Sequence, residues 1–283
     1  MSRPAARTAL ITGAASGLGR ALAHALADEG MQIALTDLDL EGLERVGREV
    51  EARGARAHRI AADLRDPAQI ERLAASAIEA LGGIDLLFNN AGIVHLGETR
   101  AMSLEQWEAI LSVNLWAPIR LTHALMPHLI ERGGGHIVNI ASIAGLVALP
   151  GIAAYCTTKF AIVGYSHALR QELRPHGVTV SVACPGPVQT QLTQNATYVN
   201  ADARERLVGS WIARDGYTAS RAAHEILRGM RSGRAQILVT PAAHLLSGFW
   251  RLAPAMSETV IERLWPRMSR ALGVVGAPTA SSR

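Results

Sequence analysis

Between residue 7 and about residue 240, short apolar runs alternate with amphipathic segments of helical length, and repeated βαβ units are the backbone that satisfies such an alternation. The spacing predicts strands over 7–12, 31–36, 57–61, 84–88, 135–140, 177–183 and 235–239. Helices are predicted over about 17–29, 39–53, 67–81, 103–131, 154–174 and 218–231, with Gly54, Gly133 and Gly177 closing helix ends. Strands joined through helices run parallel, and right-handed crossovers then place helices on both faces of one doubly wound sheet. The expected fold class is α/β, built on a parallel sheet of seven strands.

A chain of 283 residues suits one well-buried domain, expected over 1–240. Two stretches fall outside the repeat. Residues 186–217 show little clean periodicity, and connections this long are commonly lids or binding loops. Residues 241–283 are apolar again, and their spacing partly fits helix faces broken around Pro254 and Pro266. This C-terminal extension is expected to pack on its own domain or on a partner subunit. Peripheral membrane contact, which Trp and Arg beside an apolar stripe would also suit, is the less favoured reading, as is a share in the pocket wall.

Composition removes several function classes. With 49% hydrophobic and 18% charged residues the chain is not disordered. Its 28 basic and 24 acidic residues leave a formal charge of +4 without a basic run, which argues against a nucleic-acid partner. All the basic residues but Lys159 are arginine. Cys156 and Cys184 form no disulfide framework and no CxxC pair, the N-terminus does not read as a signal peptide, and no run approaches about 18 apolar residues. A cytoplasmic location is the expectation. The ten histidines show no ligand spacing, so no metal is expected; His95, which follows the Asn90 turn, is the one placed to approach a substrate.

Thr12-Gly13-Ala14-Ala15-Ser16-Gly17-Leu18-Gly19 joins the first strand to an Ala/Leu-rich helix. Glycines there permit a tight turn and close approach of a pyrophosphate to the helix N-terminus, so Gly13, Ser16, Gly17, Leu18 and Gly19 are candidate cofactor contacts. Asp37 closes the second strand where a carboxylate can accept from adenosine ribose hydroxyls, and its charge repels a 2′-phosphate. The adjacent Leu38 supplies no compensating cation. These residues point to NAD rather than NADP, although Asp37 also suits a helix cap, a role Asp39 could fill instead. Asp63-Leu64 and Asn90-Ala91-Gly92 follow the third and fourth strands, at the edge where open sheets place ligands; Asp63 could meet the adenine amine and Asn90-Ala91-Gly92 could pass beside the ribose.

Tyr155 and Lys159 stand at i and i+4 on one helical face. A phenol ionises near pH 10, so its use as a base needs a neighbouring cation to favour the anion, and Lys159 can contribute that. Ser142, thirteen residues earlier, can hydrogen-bond the oxygen being converted. Asn114 sits awkwardly inside a predicted helix, which suggests a bound water or a local helix irregularity. Taken singly, each of these residues has an ordinary structural reading; their joint spacing after a nucleotide loop is what singles them out.

With Thr12-Gly13-x-x-x-Gly17-x-Gly19, Asn89-Asn90-Ala91-Gly92, Asn114, Ser142, Tyr155-x-x-x-Lys159 and Pro185-Gly186, the chain resembles the short-chain dehydrogenase/reductase family over residues 7 to about 240. The resemblance implies a Rossmann-type fold, Tyr155 as catalytic acid/base, Ser142 positioning the substrate oxygen, and Lys159 lowering the tyrosine pKa and binding nicotinamide ribose. It implies that Asn114 holds a water linked to Lys159, that Pro185, Gly186 and Val188 border the nicotinamide, and that Thr190 lies near its carboxamide or the phosphates. It also implies a homodimer or homotetramer built through the helices at about 103–131 and 154–174. The sequence departs at Ala141, where many relatives carry a second serine, and in its long C-terminal extension.

The substrate cleft is expected above Tyr155, bounded by residues near 93–98 and 143–152 and by the 186–217 loop. Ile143, Leu146, Val147, Leu149 and Ile152 give that cleft an apolar side, favouring a fairly hydrophobic secondary alcohol or ketone. Two rivals stand beside this reading: an NADPH-dependent ketone or acyl-thioester reductase, and a nicotinamide-binding regulatory or scaffold protein without turnover.

Overall fold

Apolar strand runs without polar alternation require a sheet buried on both faces, and the computed structural model, which describes residues 7–190, 192, 196–198 and 217–271, shows one. Its strands are β1 (Thr8–Thr12), β2 (Gln32–Asp37), β3 (Ala57–Ala61), β4 (Leu86–Asn89), β5 (Gly135–Ile140), β6 (Val178–Pro185) and β7 (Gln236–Val239). All pair in parallel, in the spatial order β3-β2-β1-β4-β5-β6-β7. The order reverses direction beside β1, which opens the crevice where such sheets bind ligands.

Successive strand side chains point to opposite faces, so neighbours in sequence enter different cores. Ile11, Phe88 and Val138 pack with α1 (Gly17–Ala27), α2 (Leu40–Glu51) and α7 (Ala219–Arg231). Leu10, Leu87 and Ile137 face α3 (Pro67–Leu81), α5 (Ala117–Glu131) and α6 (Ala153–Leu173). Helix ends follow local chemistry. Asp39 caps α2 by accepting from Gly42 N, Asp66 caps α3, and Gly82, Gly133 and Gly177 turn out of helices at positive φ.

The predicted helix over 103–131 is the one element the structure divides. Ser103 and Gln106 form a capping box that starts α4 (Leu104–Leu111), a π turn spans Ser112–Trp116, and α5 then continues. After β7 the chain enters α8 (Pro241–Leu252) and α9 (Pro254–Ala271). Thr240, between β7 and α8, has φ 87, a backbone region that strains a β-branched residue. Most of the 186–217 loop and residues 272–283 lie outside the described residues. No helix among the described residues is long and apolar enough to cross a membrane.

The predicted fourth strand starts two residues late, at Leu86, because Asp85 does other work. Its carboxylate accepts from the backbone of Arg7 (2.7 Å) and Thr8 (3.1 Å) and from the Thr8 hydroxyl (3.1 Å). Partial burial opposes its ionisation, yet these hydrogen bonds hold the carboxyl below its ordinary range. A depressed folded pKa gives stability that is present above the unfolded value and is lost as pH falls through the folded one. Asp85→Ala should lower stability by about 1–3 kcal/mol at pH 7, with the difference from the native chain shrinking below about pH 4 in urea melts.

Candidate active site

The loop after β1 is fixed by what lies across it. The Thr12 hydroxyl accepts from Asn90 N (2.9 Å) and Ala91 N (3.0 Å), while Asn90 Nδ2 donates to the carbonyls of Thr12 (2.9 Å) and Gly13 (3.1 Å). Asn90 therefore ties the β4 turn to the glycine loop. A Cβ on Gly19 would stand 2.1 Å from the Gly13 carbonyl oxygen, so only glycine fits there. Ser16, the N-cap of α1, makes no side-chain cap bond and no acid occupies the first turn, which leaves the helix N-terminus suited to an anion. Leu18 is buried in the core, so its backbone is the part that remains for a ligand.

Asp37 stands at the end of β2, its carboxylate accepting from the backbone of Ala15 (3.0 Å), Leu38 (2.8 Å) and Asp39 (3.2 Å). With Asp39 as the cap of α2, Asp37 is the residue held toward the crevice, beside the exposed Leu38. A pyrophosphate at the glycine loop and a ribose beside Asp37 both fit these groups. Asp63 follows β3 as expected. Its carboxylate is taken up by the Arg65 guanidinium, with the closest contact 2.6 Å, and that partner holds its pKa down. Leu64 is buried next to it.

After β6, Gly186 lies where a Cβ would meet Thr240 Oγ1 at 2.3 Å, which pins the Pro185–Gly186 turn to the start of α8. Val188–Gln189 pairs with Tyr217–Thr218, and Thr190 packs on Gly17, placing it against the phosphate loop.

Asn114 occupies the π turn, and its amide is fully used: Oδ1 accepts from Ile93 N and Nδ2 donates to Ile93 O, each at 2.8 Å, with Thr158 Oγ1 at 3.3 Å. The helix irregularity expected at this residue is this π turn. A Cβ on Gly92 would stand 3.3 Å from Asn114 Oδ1 and 3.6 Å from Lys159 Nζ, so the β4 turn passes close to both.

Lys159 is buried and its Nζ donates to the Ile140 carbonyl at the end of β5 (2.9 Å). The ammonium lies 5.4 Å from the Tyr155 ring centroid. Ser142 opens a short 3₁₀ turn, accepts from Ala144 N (3.1 Å), and lies near enough to the Tyr155 phenol to favour its ionisation. Geometry thus joins Ser142, Tyr155 and Lys159, with Asn114 linked through Thr158, whose hydroxyl also donates to the Tyr155 carbonyl (2.8 Å).

The expectation of a lowered tyrosine pKa is not met. Burial pushes Tyr155 up to about 12, against a smaller opposing effect of Ser142. Burial also brings Lys159 down to about 8. Both shifts oppose charge, because each group lies in surroundings that solvate an ion poorly.

Around Tyr155 gathers an apolar cluster that includes Leu96, Met102, Trp107, Leu149, Ile152 and Leu192. Leu149 and Ile152 take the expected place. Ile143 and Val147 do not: the 3₁₀ turn at Ile143–Gly145 turns them toward Ala243, Trp250 and Ile261 of the C-terminal helices. Sequence reasoning missed Met102 and Trp107, since nothing in the periodicity of 103–131 shows which face of α4 meets the tyrosine. His95 lies at the rim, where His95–Leu96 pairs with Thr197–Tyr198.

Comparison with known proteins gives one consistent answer. The short chain dehydrogenase family model matches residues 7–200. The 1-deoxy-11-beta-hydroxypentalenate dehydrogenase of Streptomyces exfoliatus is 41% identical over 194 residues, covering 68% of this chain and 70% of its own. The D-threitol dehydrogenase of Mycolicibacterium smegmatis is 40% identical over 192 residues, covering 67% and 73%. A short-chain dehydrogenase/reductase from Burkholderia phymatum, crystallised in complex with NAD, superposes with a TM-score of 0.83 at 29% identity over 90% of this chain and 96% of its own.

The glycine loop yields a direct test. Gly19→Ala forces the Gly13 carbonyl aside, and such overpacking should cost about 1–3 kcal/mol in thermal melts and weaken dinucleotide binding by titration. Native stability and affinity in that variant would show that the loop has room the geometry denies.

Proposed function

We propose that this chain, which belongs to the short-chain dehydrogenase/reductase family, is an NAD(H)-linked oxidoreductase that interconverts a fairly hydrophobic secondary alcohol and its ketone, with Tyr155 as general acid/base. The observation that carries the reading is the buried Tyr155, whose ionisation Ser142 favours, with Lys159 Nζ 5.4 Å from its ring and an apolar cluster around it. The two dehydrogenase relatives are named for different substrates, so the substrate class rests on this chain's own pocket.

NAD bound between the glycine loop and the Pro185–Gly186 turn would supply hydride chemistry. Gly13, Ser16, Gly17, Leu18 and Gly19 would face the pyrophosphate, Asp37 and Leu38 the adenosine ribose, and Asn90, Ala91 and Gly92 the wall beside it. Lys159 would hold the nicotinamide ribose, with Val188 and Thr190 lining the far side. Asp63, paired with the exposed Arg65, would meet the adenine amine beside Leu64. Ser142 Oγ orients the reacting oxygen. In oxidation Tyr155 Oη accepts the hydroxyl proton, and in reduction it donates a proton to the carbonyl oxygen. Lys159, cationic at pH 7, favours the phenolate when it forms, while Asn114 fixes the turn before Ile93 that faces it.

Trp116 and Phe160, both partly exposed on the π turn and α6, support assembly as a homodimer or homotetramer through α5 and α6. Light scattering on Phe160→Glu tests this, and a smaller species is the expected result.

Initial rates at 340 nm, over aliphatic, aromatic, cyclic and steroid alcohols and their ketones with both nicotinamides, test the function. NAD-linked turnover on apolar members is expected; NADPH-linked turnover would overturn the Asp37 reading, and silence with all of them would revive a binding role without catalysis. Tyr155→Phe should keep the fold and lose about tenfold to 10⁴-fold in rate. Because a raised pKa keeps the phenol protonated, kcat/KM for oxidation should climb about tenfold per pH unit from pH 7 toward the pKa in the complex, while reduction should not rise. Asp37→Ala should narrow the preference for NAD+ over NADP+.

A further inference from the structure

Helices α8 and α9 bury one side and leave another apolar side bare. Inward, Ala243, Ser247 and Ser257 are buried, and Trp250 and Ile261 pack near Ile143 and Val147. Outward, Leu245 (74% exposed), Leu246, Phe249 and Leu252 (88%) occupy one arc of α8 about 120° wide, counted at about 100° per residue. Met256, Val260 and Leu264 form an exposed apolar stripe on α9 at i, i+4 and i+8. Seven of the twelve large exposed apolar residues among the described ones therefore sit on these two helices, where only a partner or an apolar medium would cover them.

Charge chooses between the occupants. On α9, Arg263 and Arg267 fall within about 60° of the centre of the apolar stripe, whereas Glu258 and Glu262 fall about 160° away. Both arginines are exposed and neither is ion-paired with a carboxylate among the described residues. An apolar stripe edged by free cations suits an anionic lipid surface. A symmetric antiparallel pair of copies would instead set the two arginine rows side by side. The helices are not apolar enough to span a bilayer, so the contact lies in its plane.

The helices that carry this face border the chemistry by their inner side: Leu149 packs in the cluster around Tyr155 and also against the cluster that holds Ala243, with Trp250 and Ile261. We infer that α8 and α9 dock the protein on anionic membrane surfaces, with the substrate cleft beside the contact so that an apolar alcohol or ketone enters from the lipid. The second half rests on the proposed substrate class; the docking does not.

Co-sedimentation of the full chain with phosphatidylcholine vesicles, with and without about 30% phosphatidylserine, tests it. Binding is expected to the anionic vesicles and should fall at least about fivefold when salt rises from about 0.1 M to 0.5 M, since screening weakens the arginine contribution. Leu245→Asp/Leu252→Asp and, separately, Arg263→Glu/Arg267→Glu should each lower the bound fraction about fivefold or more while leaving turnover of a water-soluble alcohol without vesicles unchanged. No sedimentation, or equal binding to both vesicle types, overturns the docking. So does a native dimer that the Leu245→Asp/Leu252→Asp chain no longer forms, which would assign the face to a second copy. Docking without any effect of anionic vesicles on turnover of a vesicle-dissolved apolar alcohol overturns only the entry route, and failure of every alcohol and ketone overturns the substrate class while the sedimentation result stands.

Discussion

Parallel strands that all end at one edge leave their last carbonyls and amides without a further strand to pair with, and a buried backbone group cannot remain unpaired cheaply. Much of the site is the answer to that constraint. Thr12 and Asn90 satisfy the ends of β1 and β4 for each other, Lys159 takes the terminal carbonyl of β5, and Ala15 is received by Asp37 at the end of β2. The groups that close the sheet edge are thus the ones a ligand would meet there, which is why a structural and a functional account of these residues do not compete.

The same economy sets the electrostatics. Tyr155 and Lys159 are each too deeply buried to ionise at their ordinary pKa, and the shifts run toward neutrality on both. This arrangement holds a proton on the phenol beside an ammonium more acidic than an ordinary lysine's. A phenol held in this way gives up its proton more readily when further positive charge lies beside it. Cys184, buried near Lys159 and pushed up to about 12 chiefly by burial, contributes no competing thiolate.

Seven strands were legible because both faces of the sheet are buried, which makes each strand a continuous apolar run bounded by turn residues. The glycine loop and the Tyr155–Lys159 spacing were legible because their geometry is local. Other features depend on distant partners. That Arg65 claims Asp63 lies two residues away in sequence but needs the turn to be known, while the Ile140 carbonyl that receives Lys159 carries no side-chain signal at all. Ile143 and Val147 share the polarity of Ile152, yet they pack with Ala243 while Ile152 packs in the tyrosine cluster and Leu149 touches both. The direction of the tyrosine shift was misjudged for a related reason: the neighbouring cation is visible in a sequence and the degree of burial is not.

The π turn at Ser112–Trp116 is the feature with the widest reach. It inserts the equivalent of one extra residue and so rotates everything before it by about 100° relative to everything after it. Trp107, Ile110, Ala117 and Leu121 look from their spacing like one unbroken face, yet the first two line the tyrosine cluster and the last two pack under the sheet. A single rod is thereby given two facings, as a screw with a dislocated thread would be, and one continuous helical segment divides its length between wall and foundation.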